Sequence, residues 1–503
     1  MPYASRLLDW SAFAEKLRIA QLAPEAYAAY HPLLSEGLRF FLERLSPPRR
    51  ARILAEQLQL PHTATPAHRL VTLLRQCPTL HKLGQVVARD QRLSRELREN
   101  LQGLESLAPT TPLEAITAII RQEWGQVAGL EVASEALAEA SVAVVVPFVW
   151  RDSQQSAPRQ GVFKVLRPGI EEQMHEELAI WSALGPFLEE HCAIQGLPAL
   201  DYRNTLDSVC RLLANEIRLD HEQTHLARAA TFYAHSPTVL IPSLLPFCTA
   251  RMTAMERVEG CKVTAAEASP GERHRLAKTL IEALIAQPFW SNPQSDAYFH
   301  ADPHAGNLFL TRDGRLAILD WALVTPLSKA QRVAAVQTVV SALMQDEAGA
   351  SRSIASLGRS SDPAALRSAV AAGLRQVRQG TFPGMNWLMA LLDRLGTAGA
   401  MQFPEELTLF RKALLTLSGV IRDVSAQPSI DEALILTGLT QCFRELATRG
   451  LAPFDSRAFG SHLSNADGFS AWAGLPIAVV RYWIGAWQDA LGAADSQSFC
   501  RHR

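Results

Sequence analysis

Long apolar runs are missing from this sequence. Its longest uninterrupted one, Val142 to Trp150, is far short of the roughly 20 residues that a spanning helix needs. The opening segment MPYASRLLDWSAFAEKL has no apolar stretch leading to a small-residue cleavage site, so no signal peptide is expected. Cysteine is scarce and unpatterned. Cys77, Cys192, Cys210, Cys248, Cys261, Cys442 and Cys500 are odd in number and contain no CxxC, which argues against a disulfide framework or a zinc site and for a reducing compartment. An excess of one charge is also absent: 49 Lys and Arg face 50 Asp and Glu, a formal net charge of −1. No bulk attraction to nucleic acid follows, and none is expected as a partner. Repeats and low-complexity tracts are not evident.

What is present is a folded, multidomain composition: 503 residues, 48% hydrophobic and 20% charged, enough for several cores. Residues 1–130 read as helical, with Leu34, Leu38, Phe41 and Leu45 forming an apolar stripe that stops at Pro47 and Pro48. Pro112, after Thr110 and Thr111, opens a helix toward Trp124. Near residue 131 the character changes. Ser141–Val149 and Gly161–Leu166 are strand-like, joined by the polar loop 151–160. Helices are expected over 170–191 and 202–232, and strands over 238–241 and 247–256. From 270 helices return, interrupted by NLFLTRDGRLAILD, where Asp313-Gly314 marks a hairpin turn. The expected division is 1–130 as a helical extension, 131–260 as a small β-rich lobe, 261–430 as a larger helical lobe and 431–503 as a C-terminal helical segment, an α+β plan. The C-terminal stretch Trp472–Trp487 is apolar but carries Pro476 and Arg481. It suits an interfacial or a core helix better than a spanning one.

The sharpest chemical signal is His300-Ala-Asp302-Pro-His304-Ala-Gly-Asn307, followed by Asp320 at the end of the strand LAILD. Each residue alone reads as turn or strand-end furniture. Together, an Asp, an Asn and a second Asp around one hairpin are what phosphoryl transfer from a nucleotide requires. One carboxylate positions or accepts the nucleophile's proton, and hard oxygen donors hold Mg²⁺. His300 and His304 lack a third nitrogen or sulfur ligand nearby, which disfavours zinc. A second signal is Lys164 inside the apolar strand VFKVL. A lysine there is costly to bury unless it is paired, and in kinase-like sites such a lysine reaches the α- and β-phosphates and pairs with a helix Glu. The bland reading is an edge strand with Lys164 turned to solvent. A third is Lys82-Leu-Gly84-Gln85, in which Lys82 and Gln85, three apart, share one helix face.

In order along the chain these elements resemble the UbiB/AarF family of atypical protein-kinase-like ATPases, over roughly residues 80–330. Lys82 to Gln85 resembles its KxGQ motif. Ala138-Glu139-Ala140-Ser141-Val142-Ala143 resembles the Ala-rich loop that stands where ordinary kinases have a Gly-rich phosphate loop. Lys164 to Gly169 resembles the strand lysine and its sequel, Glu216 and Glu222 the ExD segment and helix Glu, Met255 to Gly260 the hinge, and His300 to Asn307 with Asp320 the catalytic and metal loops.

The resemblance implies a kinase-like bilobal fold that binds ATP and Mg²⁺. In it Lys164 would hold phosphates and Glu222 orient it. Asp302 would be the catalytic carboxylate, Asn307 and Asp320 would hold metal, and Ala138, Ala140, Ser141, Val142, Ala143 and Glu256 would line the nucleotide. Lys82, Gln85 and Glu216 would guard the site. The implied activity is ATPase or atypical kinase chemistry supporting quinone or other lipid biosynthesis, in the cytoplasm or at a membrane surface, with a lipid or quinone-precursor-like partner or a lipid-biosynthesis complex. A nucleotide-binding pseudokinase scaffold and a small-molecule kinase are the alternatives. The chain departs from the pattern at Arg218, His225, Val144, Ala305 and Ala322, where Asp, Asn, Gln, Pro and Gly are usual. Glu139 adds an acidic group to the Ala-rich loop. Glu139 and Arg218 are therefore expected to alter the charge beside the nucleotide.

Overall fold

The computed structural model of the chain describes Leu22 and residues 24–88, 92–105, 110–151, 158–197, 201–290 and 295–499. Most of the polar loop expected over 151–160 and the opening segment lie outside the described residues. The chain divides into two compact units, Met1–Gly260 with Thr311–Asp313 and Ala317–Leu323, and Cys261–Leu310 with Gly314–Leu316 and Val324–Arg503.

The first unit begins with helices α1 (His31–Arg44), α2 (Pro47–Gln59), α3 (Pro66–Arg75), α4 (Pro78–Val87), α5 (Arg95–Gln102) and α6 (Leu113–Trp124). Proline and hydroxyl residues punctuate them. Pro47 and Pro48 not only stop α1 but open α2, where a missing N–H costs nothing. The Thr65 and Ser94 side chains cap α3 and α5 by accepting from the His68 and Leu97 N–H groups. Phe40, Phe41, Leu42, Ile53, Val71 and Leu97 bury against Ile180 and Leu184 of α7 (Ile170–Ile194). The helical extension thus shares its core with a helix that connects strands of the sheet.

That sheet comprises β1 (Leu130–Val132), β2 (Ala138–Glu139), β3 (Ala143–Trp150) and β4 (Arg159–Leu166). After α7, α8 (Tyr202–Ala214), α9 (Leu219–Phe232) and β5 (Val239–Leu240), the strand β6 (Met252–Glu256) completes it. The order is β1-β3-β4-β6 with β2 on β3, all antiparallel. The period-2 alternation of the strands gives two buried faces. Phe148, Val146, Phe163 and Val165 pack on Ile116, Ile119 and Ile120 of α6, while Ala143 and Leu166 pack with Ile170, Met174 and Leu219. Gly161 faces Phe148 across β3 and β4, and the ring leaves no room for a Cβ there. Two expected elements differ. The helix over 202–232 breaks at a 3₁₀ turn, Asn215–Ile217, and at Arg218. The strand over 247–256 starts only at Met252, because the Thr249 N–H turns back to the Met252 carbonyl at 2.8 Å.

The second unit carries β7 (Gly260–Lys262) and then α10 (Pro270–Ile281), opened by a Ser269/Glu272 capping box and continued through a π-type turn, Glu282–Ala286, to Trp290. Strand β8 (Ala297–His300) pairs antiparallel with β11 (Val324–Leu327). Between them, β9 (Leu308–Thr311) and β10 (Leu316–Ile318) flank Gly314, whose φ of +83° is the left-handed turn expected of Asp-Gly. The helices α11 (Lys329–Leu343), α12 (Glu347–Ala355), α13 (Pro363–Arg378), α14 (Met385–Thr397), α15 (Glu405–Val424), α16 (Ile430–Arg444) and α17 (Asn465–Phe499) follow. Strands β12 (Arg359–Ser360) and β13 (Met401–Gln402) pair antiparallel among them.

On α17, Phe469, Trp472, Leu475, Ile477, Val480 and Trp483 are each more than half exposed, which sets aside the core alternative for 472–484. Among the described residues no helix is long and apolar enough to cross a membrane. The α+β plan is as expected.

Candidate functional site

Lys164 lies in the middle of β4, opposite Val145 of β3 and Thr253 of β6. It is therefore on a central strand and 8% exposed, not on an edge turned to solvent. Alternation puts Phe163 and Val165 into one core and Lys164 on the other face, toward α9. There the ammonium donates to both oxygens of Glu222 at 2.8 Å and to Oδ2 of Asp320 at 3.0 Å. Burial disfavours the ammonium, but Asp320 and Glu222 outweigh it and hold Lys164 above its ordinary range. Burial also raises Asp320, yet Lys164 and the Ala322 N–H hold it well below the usual carboxylate range. Burial pushes Glu222 up to about 7 against the opposing pull of Lys164. The three residues expected to act together are thus one cluster, with Asp320 its most exposed member.

Ala322, His225 and Arg218, which depart from the family pattern, and the added Glu139 have structural explanations. Ala322 N–H donates to Asp320 Oδ1 at 3.0 Å, so the Asp-Trp-Ala triplet bends around its own carboxylate without a glycine. The His225 ring, on α9 one turn from Glu222, meets the Trp321 carbonyl through Nδ1 at 3.2 Å and ties that helix to the Asp320 segment. Glu139 does not lie as a bare charge. It is 5% exposed and accepts from the Thr110 and Thr111 N–H groups at 2.5 and 2.9 Å, beside the start of α6, with Arg167 at 3.3 Å. Burial disfavours its charge, but the Thr111 and Thr110 amides and Arg167 keep it low. Arg218 is paired with Asp220 at 2.9–3.0 Å on the surface. The expected alteration of charge is therefore answered locally at both residues.

The Ala-rich segment is a tight hairpin end. Ala138 pairs with Val145, and the Ala140 N–H donates to the Ala143 carbonyl at 2.8 Å. Ala138 and Ala140 are exposed. Ser141, Val142 and Ala143 are buried, with Val142 and Ala143 in the apolar cluster around Ile170. Glu256 is half-exposed at the end of β6, its N–H donating to the Ser243 carbonyl at 2.9 Å.

Lys82 and Gln85 sit on α4 but reach different partners. Lys82 Nζ is 3.0 Å from Glu216 Oε1, and Gln85 donates to the Leu104 carbonyl at 3.0 Å, as does the buried His81 through Nε2. Gly84 permits this packing, since a Cβ there would meet Leu74 and Leu104 at 2.9–3.0 Å. A network that the sequence did not announce fixes α4 to α7. Arg49 pairs with Glu176 at 2.8 Å and with the fully buried Glu177, which in turn accepts from the Thr79 N–H and hydroxyl at 2.9 and 2.5 Å.

In the second unit, β8 delivers His300, and Asp302 follows at its end. The Asp302 N–H donates to His300 Nδ1 at 3.2 Å, and Asn307 Nδ2 donates to the Asp302 carbonyl at 3.1 Å. The His304 ring accepts the Gly306 N–H at 3.0 Å through Nδ1 and approaches Asp302 Oδ2 to 3.9 Å through Nε2. A side chain at Gly306 would collide with that ring. Lys412, on α15, stands 3.4 Å from Asp302 Oδ1. No local pattern pointed to it. Among the described residues no group of three or more His, Cys, Asp or Glu is arranged to hold a metal. Asp320 in the first unit and Asn307 in the second each offer a hard oxygen of the kind that Mg²⁺ takes, and Mg²⁺ commonly uses one or two protein oxygens and completes its shell with phosphates and water.

Comparison with known proteins gives the same reading of the frame. An ABC1 atypical kinase-like domain model matches residues 103–354. The chain is 28% identical over 277 residues to Arabidopsis thaliana "Protein ACTIVITY OF BC1 COMPLEX KINASE 3, chloroplastic", covering 54% of this chain and 37% of that protein. It is 26% identical over 264 residues to "Probable protein kinase UbiB" of Marinobacter nauticus, covering 50% and 46%. The chain thus spans about half or less of the length of these relatives. Among solved structures, the Mycobacterium tuberculosis Rv3197–erythromycin complex aligns with a TM-score of 0.50 at 18% identity, over 77% of this chain and 97% of that one. That likeness concerns the fold.

Proposed function

This chain belongs to the ABC1 family of atypical kinase-like proteins, and from that premise we propose that it is an ATPase or atypical kinase working with Mg²⁺-ATP in support of quinone or other lipid biosynthesis. The observation that carries the reading is Lys164, buried on a central strand between Glu222 and Asp320. Burying a lysine with two carboxylates carries a desolvation cost that pairing returns only in part, and a phosphate-binding lysine oriented by a helix Glu is a role that this arrangement fits.

In this reading Lys164 takes the α- and β-phosphate oxygens. Glu222 keeps it oriented, and the more exposed Asp320 is the carboxylate that would hold the metal. Asn307 adds an amide oxygen to the metal's donors. Mg²⁺, when bound, neutralises phosphate charge and fixes phosphate geometry. Asp302 accepts the proton of the attacking water or hydroxyl as the bond from the γ-phosphorus to the ADP oxygen breaks. The Ala138–Ala143 hairpin and Glu256 border the nucleotide, and the Lys82–Glu216 pair with Gln85 restricts access for a large acceptor. The exposed apolar face of α17 suits a lipid surface or a lipid-bearing partner.

The test is phosphate release by the purified protein with Mg²⁺-ATP, with and without liposomes and a phenolic quinone-precursor mimic, beside Asp320→Asn. Release that rises with lipid and vanishes in the variant supports the proposal. Mg²⁺-dependent nucleotide binding without release points instead to a switch-like pseudokinase scaffold.

A further inference from the structure

Asp302 is flanked on both sides by groups of its own unit. His304 Nε2 lies 3.9 Å from Oδ2 and Lys412 Nζ 3.4 Å from Oδ1. His304 comes from the same turn, but Lys412 comes from α15, far along the chain and beyond the family-matched residues 103–354. The placement of Lys412 is fixed by packing. Phe410 of α15 and Phe299 of β8, both essentially fully buried, set their rings 4.7 Å apart, and the Thr325 hydroxyl of β11 donates to the Glu406 carbonyl at 2.9 Å. Helix α15 is therefore registered to the strand that leads into Asp302. The pair itself is sheltered, with side chains 29% and 17% exposed, unlike the freely hydrated surface pairs that contribute little.

We propose that Lys412 is a positioning residue for Asp302, supplied by a helix outside the matched domain. The inference rests on the reading of Asp302 as the proton-accepting carboxylate. The ammonium at one oxygen orients the carboxylate, with the imidazole flanking the other, so the group that takes the proton is set before substrate arrives. Lys412 acts through Asp302 and has no part in holding the adenine or the metal, so its loss falls on turnover and not on nucleotide affinity.

The experiment is steady-state Mg²⁺-ATP hydrolysis by wild type, Lys412→Met, Lys412→Arg and Asp302→Asn, with Tm measured for each. The expected result is a kcat for Lys412→Met about 10- to 100-fold below wild type, with KM for ATP and Tm near wild type and most of the activity regained in Lys412→Arg. A Lys412→Met protein with wild-type kcat overturns the proposal and leaves the reading of the site intact. A fall in kcat that tracks a fall in Tm and is not rescued by arginine assigns Lys412 a structural role and also overturns it. Wild-type hydrolysis no greater than that of Asp302→Asn sinks the functional reading itself, and the role of Lys412 with it.

Discussion

Two buried ionic clusters in the first unit use the same chemistry to different ends. One is Arg49 with Glu176 and Glu177, and the other is Lys164 with Glu222 and Asp320. The first is closed at its centre, although its outer carboxylate Glu176 is 24% exposed. Glu177 is fully buried, and its oxygens are met by Arg49 and both donors of Thr79, while Arg49 also donates to the Gln76 carbonyl at 3.0 Å. The second has an open side: Asp320 is 39% exposed. A closed cluster locks helices together and has nothing to exchange. A cluster with one accessible carboxylate can trade that partner for a ligand while the buried partner keeps the cation oriented.

The sharpest way to break this comparison is to remove one cation. Arg49→Met leaves Glu177 buried without its counter-charge and is expected to cost about 3–5 kcal/mol in urea unfolding. A cost near zero would show that the cluster is not closed in solution.

Acid tests the same packing more gently. His81, beside Lys82 on α4, is lowered to about 4 by burial. A histidine whose folded value is depressed adds stability above its ordinary value, about 6.5, and loses it as pH falls toward the folded one. From pH 7 to 5 the wild type should lose about 2 kcal/mol more than His81→Gln, read by denaturant titration at each pH. Equal losses would mean that His81 is already hydrated.

The smallest stability effect is expected in the open cluster. Glu222→Gln still leaves Lys164 paired with Asp320, so unfolding free energy should change by about 1 kcal/mol or less, while Mg²⁺-ATP affinity, read by titration calorimetry, falls. A stability loss as large as that of Arg49→Met, with affinity retained, would erase the distinction.

Much of the frame was legible in the sequence because it is local. The alternating valines of β3, the lysine interrupting an apolar run in β4, the Asp-Gly turn and the prolines at helix starts each leave a short-range signature. Other features left a misleading one. The apolar, Trp-bearing α17 read equally as core, yet Phe469, Trp472, Leu475 and Trp483 are exposed, since hydrophobicity does not say what a helix packs against. Glu139 read as a charge added beside phosphates, yet it is turned toward the Thr110 and Thr111 amides and Arg167.

The sequence by itself determined the order of elements and the types of residue that could do phosphoryl chemistry, because spacing and periodicity act over a few residues, and its motifs carried the resemblance to a family. Only the tertiary structure decided which charges meet. It put Asp320 against Lys164, Glu216 against Lys82, Glu177 against Arg49 and Lys412 against Asp302. Those pairs are separated by about a hundred residues or more, so no local pattern encodes them. They form where packed helices and strands bring opposite charges out of water together and make pairing the least costly outcome.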